Sequence, residues 1–115
     1  MNDILYVKTR ELVIADNQTE SGVLRIESQA IIGIATPASF EGTSIKFQVS
    51  HDGVTYYTLT DPDDGNDVAI VAASSEAYAV DHALTRAWKF VKLVAGTAQT
   101  GDSTLQVTTM PLVGN

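Results

Sequence analysis

Short apolar segments recur along this chain about every 8–12 residues, each closed by turn chemistry, a rhythm that points to a β-sandwich or barrel. The strand candidates are Leu12–Ala15, Gly22–Ile26, Ala30–Thr36, Ser44–Ser50, Val54–Thr60, Asp67–Val71, Ala77–Val80, Ala87–Val94 and Thr104–Thr109. Between them lie "DNQTESG", "PASFEG", "HDG", "DPDDGN", "ASSE" and "AGTAQTGDS". No segment sustains an apolar stripe of helical period, and only "VDHALTR" (Val80–Arg86) has room for one helical turn. The expected fold is all-β: an antiparallel β-sandwich, jelly-roll-like, with about eight or nine short strands and little or no helix.

Alternation assigns faces. Ile45, Phe47 and Val49 fall on one side of their segment and Lys46, Gln48 and Ser50 on the other, the pattern of a half-buried antiparallel strand. Tyr56 and Leu59 have opposite parity, so their segment calls for a bulge or cover on both faces. Trp88, Phe90 and Lys92 share one face opposite Val91 and Leu93, which sheet-on-sheet packing accommodates.

The chain has 115 residues, the length of one domain. We read Met1–Thr9 as an N-terminal arm and residues 10–115 as a single β-sandwich domain. A chain of this size buries roughly 65% of its unfolded surface, enough for a core without staples. There is no cysteine, so disulfides and thiolate metal sites are excluded. A net charge of −7 repels phosphate backbones, so no nucleic acid is expected as a partner. The apolar runs "AIIGIA" and "VAIVAA" are far shorter than the ~20 residues of a membrane-spanning helix, and no membrane is expected either. "MNDILYVKTREL" lacks the basic and long apolar regions of a secretory leader. These features suggest a soluble protein assembled in a cytoplasm.

Each candidate for chemistry has a plainer explanation. Ser50-His51-Asp52-Gly53 contains the residue types of a nucleophile, a base and an orienter, but such relays converge from separate segments. Asp-Gly instead supplies the positive φ of a hairpin turn. The stretch also departs from the Asp-box hairpin, Ser-x-Asp-x-Gly-x-Thr-Trp, because Asp52 and Gly53 are adjacent and Tyr56 replaces Trp. "DPDDGND" (Asp61–Asp67) clusters carboxylates, yet an EF-hand loop counted from Asp61 needs Gly where Asn66 stands and Glu where Ala72 stands. Turn chemistry accounts for that loop. His82 has no second histidine close in sequence to share a metal. Trp88, Tyr56, Tyr57 and Tyr78 offer a platform for sugars or, more simply, core. No phosphate-binding glycine loop, HExxH or G-x-S-x-G occurs. We therefore assign no catalytic, cofactor-binding or metal residue and expect no enzyme.

Two longer stretches carry a resemblance. "IIGIATPASFEGTSIKFQVSHDGVTYYTL" places a strand and a Pro before an aromatic strand and a Ser-x-Asp-Gly-x-Thr-aromatic turn. "AYAVDHALTRAWKFVKLVAGTAQTGDSTLQV" follows after the Asp-rich turn, and together they span about two-thirds of the chain. This order resembles small bacteriophage virion proteins encoded among head and tail genes. The resemblance implies a capsid decoration or cement protein in the virion, assembled in the host cytoplasm. Its partner would be the major capsid protein or another virion protein, and it would form a homodimer or homotrimer. It implies no catalytic residues. Ile4, Leu5, Tyr6 and Val7, too apolar for a free tail, are the candidate contact with a neighbouring chain, or else an edge strand of the same sandwich. The alternatives are a carbohydrate-binding β-sandwich module, which requires at least two exposed coplanar aromatics, and a phage tail or baseplate adaptor.

Overall fold

The computed structural model describes residues 7–112. Among them nine strands run in order: β1 (Lys8–Ile14), β2 (Leu24–Arg25), β3 (Gln29–Ala35), β4 (Ser44–Ser50), β5 (Tyr57–Thr58), β6 (Ala69–Val71), β7 (Ala77–Ala79), β8 (Phe90–Ala95) and β9 (Ser103–Pro111). They make two antiparallel sheets, a four-stranded one ordered β1-β9-β3-β7 and a five-stranded one. In the second, the order is β2-β8-β4, and β5 and β6 share the far side of β4. The all-β antiparallel sandwich read from the alternation is what forms.

The core lies between the sheets. Leu12, Ile14, Ile31, Ile34, Leu105 and Val107 from one sheet meet Leu24, Ile45, Phe47, Val49, Val91 and Leu93 from the other, all buried. Every second residue of β4, β8 and β9 points inward, as the pleat requires. The strand β3 carries an irregularity between Ile31 and Gly33. There the Ile31 N–H leaves the ladder and donates to the buried Thr85 Oγ1 at 2.9 Å. Thr85 is delivered by a 3-10 turn at His82–Leu84, the single helical turn that "VDHALTR" has room for. Asp81 caps that turn by accepting from the Ala83 N–H.

Four local expectations shift. β1 starts at Lys8, ahead of the expected Leu12, because all seven of its residues find partners on β9. The expected strand Val54–Thr60 shrinks to Tyr57–Thr58, since the Val54 and Thr55 N–H groups are taken by the Asp52 carboxylate. The expected strand Ala87–Val94 begins only at Phe90, because the Trp88 N–H is still donating to the Thr85 carbonyl. Ser50, on the nominally outer face of β4, is fully buried because the following turn folds over its hydroxyl.

Candidate functional site

The turn after β4 is organised by two side chains. Ser50 Oγ accepts from the N–H of Asp52 at 3.2 Å and of Gly53 at 2.9 Å, and donates to Asp52 Oδ1 at 3.0 Å. The same Oδ1 accepts from the N–H of Val54 at 2.8 Å and of Thr55 at 2.9 Å. The Thr55 and Val54 donors, then the Ser50 hydroxyl, hold the Asp52 carboxyl below its ordinary 3.8. Positive φ falls on Gly53 alone within Asp52-Gly53, at 77°, where an added Cβ would press on the Phe90 ring at 3.3 Å. Asp52 serves by accepting, not by turning the backbone. His51 points elsewhere and stacks on Trp88, with ring centroids 4.6 Å apart and planes tilted by 33°. Ser50, His51 and Asp52 are thus brought together in the chain but not into a proton relay.

The Asp61–Asp67 loop closes in the same way. Asp61 Oδ1 accepts from the Asp63 N–H, Asp64 Oδ1 from the Asn66 N–H, and the Asp61 carbonyl from the Gly65 N–H. Asp67 pairs with Lys46 at 2.9 Å. Among the described residues no three of His, Asp and Glu are grouped to hold a metal ion.

The aromatic residues do not assemble into a platform. Of Tyr56, Tyr57, Tyr78 and Trp88, Tyr57 alone is exposed. Trp88 and Tyr78 pack against the core, and the Tyr78 hydroxyl accepts from the Ala73 N–H at 2.7 Å. Lys92 Nζ lies 4.4 Å from the centroid of the half-buried Tyr56 ring. Trp88 also lines a cleft of about 280 Å³ with Leu59, Pro62, Val68 and Leu84 on its apolar walls and Thr60 and Asp61 at its polar side.

Sequence reasoning missed a different polar centre. Gln99 is 2% exposed, and its side chain and backbone together join three loops. Nε2 donates to the carbonyls of Glu41 at 2.8 Å and Thr97 at 3.0 Å, while Oε1 accepts from the Glu41 N–H and the Ser103 hydroxyl. Its backbone exchanges bonds with Asn17 and Gln18. A buried amide with every donor and acceptor used is a fastener, since no group is left over for a ligand. The single sequence cue was a long polar side chain in a loop otherwise made of small residues.

Of the proposed contact residues, Ile4, Leu5 and Tyr6 lie outside the described residues. Val7 leads into β1 and is 56% exposed.

No protein-family model matches the chain. No curated protein matches it. Several solved structures are similar, two of them as follows. The SPBc2 prophage-derived protein YomS aligns over 96% of this chain and 99% of its own, with a TM-score of 0.57 and 16% identity. A protein from Bacillus endospore appendages, described as a family of disulfide-linked pili, aligns over 98% and 95% at 16% identity with a TM-score of 0.37. The described part of the chain has the fold of the prophage-derived protein.

Proposed function

We propose that the chain is a structural protein of a bacteriophage virion, a decoration or cement protein that stabilises the head by contacting several capsid subunits. The observation that carries this reading is the end-to-end likeness of fold to a prophage-derived protein. Two features support it. The Ser, His and Asp residues that invited a catalytic reading are engaged in their own turns or in stacking. The acidic, turn-rich exterior suits contact with protein more than with nucleic acid. The chain would act by burying surface against the major capsid protein, gaining avidity from the symmetry of the shell, and without catalysing a reaction. Its own homo-oligomer would multiply those contacts.

Immunogold labelling of phage particles purified from the strain that encodes the chain tests the proposal. Label on heads is expected. Label confined to tails or baseplates would replace the decoration role with that of an adaptor, and particles without label would overturn the virion reading.

A further inference from the structure

The four-stranded sheet has one long open edge. β1 runs along β9 in unbroken register, from Lys8↔Thr109 to Ile14↔Ser103. In an antiparallel ladder each residue aims its N–H and C=O to one side, and successive residues alternate. Gly22 settles which side is which, because its N–H donates to the Val13 carbonyl at 3.2 Å from outside the sheet. Val13 therefore faces away from β9, and so do Glu11 and Thr9. The Ser21–Gly22 segment covers the Val13 end of the strand. Among the described residues nothing bonds the backbone N–H or C=O of Thr9 or Glu11.

The other edge strands, β2, β5, β6 and β7, are two or three residues long. Folded proteins blunt long edges with Pro, bulges or free charges. β1 has no Pro and no bulge. Of its charged side chains, Arg10 is drawn back onto its own chain, Nη1 donating to the Arg25 carbonyl at 3.0 Å and Nη2 to Gln29 Oε1 at 3.2 Å, Glu11 accepts from Gln106 Nε2 at 3.2 Å, and Lys8 stands exposed at the strand's first position.

We propose that β1 is a self-pairing edge: a second copy of this chain lays its own β1 antiparallel against the first, joining two four-stranded sheets into one continuous sheet. A strand paired antiparallel with itself generates a two-fold axis, so the contact is self-complementary and closes at a dimer, not a trimer. The register that uses all the free groups sets Thr9 opposite Glu11 of the partner subunit, and the reverse, with Arg10 on the axis. Val7 and Val13, exposed at 56% and 40%, flank the seam. The inference deepens the homo-oligomer of the proposed function and rests on that reading for its setting only.

Sedimentation equilibrium of the purified chain is expected to show mass rising with concentration from 12.3 kDa toward twice that value. Thr9→Pro and Glu11→Pro each remove a donor that the single chain does not use, and each should leave a monomer with unchanged circular dichroism. A wild-type chain that stays monomeric at millimolar concentration, or a dimer that survives in both folded Pro variants, overturns the proposal. Should either Pro variant unfold, Arg10→Cys decides, because the chain has no other cysteine and position 10 meets itself across the axis. Oxidation should crosslink it well above an exposed-loop control, Val54→Cys, and equal crosslinking of the two overturns the seam. Particle labelling is read separately: labelled particles with a monomeric chain sink the seam alone, and a dimer with unlabelled particles sinks the virion role alone.

Discussion

The turns of this sandwich and its β1 edge treat backbone hydrogen bonds in opposite ways. Where strands are short or irregular, side chains take the main-chain groups left over: Ser50 and Asp52 after β4, Thr85 beside β3, and Gln99 among three loops. Along β1, the Thr9 and Glu11 backbone meets no such side chain among the described residues. A buried polar group must be satisfied within the fold, whereas an edge can wait for solvent or a partner. Loop polarity in this chain is thus internal fastening, and the open edge is the place where another chain can gain hydrogen bonds.

The sharpest way to break that contrast is at Gln99. Gln99→Leu keeps much of the volume but strands the Glu41 N–H and carbonyl and the Thr97 carbonyl, while the Ser103 hydroxyl falls back on the Ser39 carbonyl at 3.3 Å. Each buried group left unsatisfied costs about 1–3 kcal/mol, so a loss of about 3 kcal/mol or more in urea unfolding is expected. A loss below about 1 kcal/mol would mean that the loops are fastened elsewhere.

Ser50→Ala comes next, because one fully buried hydroxyl serves two N–H donors and one carboxylate. About 2 kcal/mol is expected, with β9 and β1 unaffected in hydrogen exchange. Protection lost equally across both sheets would show that the turn and the edge are one cooperative unit.

Asp52 adds a smaller, pH-dependent effect. Its carboxyl is held below 3.8 in the folded chain by the Thr55 and Val54 N–H groups and the Ser50 hydroxyl. A lowered folded value means that the stabilisation is fully present above the unfolded value, near 3.8, and is lost as pH falls through the folded one. Asp52→Asn should therefore flatten the stability profile below about pH 4, while at neutral pH it lowers the denaturant midpoint modestly. An unchanged acid limb would mean that the turn does not depend on the charged form.

β4 and β9 were legible because they carry buried residues at period two, whereas β3, buried at Ala30, Ile31 and Ile34, was legible only as an apolar run bounded by turn residues. β5 and the start of β8 were overdrawn because β-forming residues such as Thr55 and Trp88 have their N–H groups claimed locally, by Asp52 and by Thr85. The partner order was not legible, since β1 and β9 meet from opposite ends of the chain and no short-range pattern encodes that pairing. Gln99 drew no notice within its loop for the same reason, as its partners at Glu41 and Gln18 are distant in sequence. The turns at Asp52 and Asp61 were readable as turns because their bonds span only a few residues, but neither the burial of Ser50 nor the placing of positive φ on Gly53 alone was.

The smallest effect tests the rule that interior polar groups are fastened. The Tyr56 hydroxyl is buried and has no hydrogen-bond partner among the described residues, while its ring carries Lys92 Nζ at 4.4 Å. Tyr56→Phe removes the unpaired oxygen and keeps an aromatic face for the ammonium. The variant should match the wild type or exceed it by up to about 1 kcal/mol in urea unfolding, because an unmade hydrogen bond in the interior is a cost that the phenylalanine does not carry. A loss of about 1 kcal/mol or more would show that the hydroxyl is bonded after all, and would bring Tyr56 under the same fastening rule as Ser50 and Gln99.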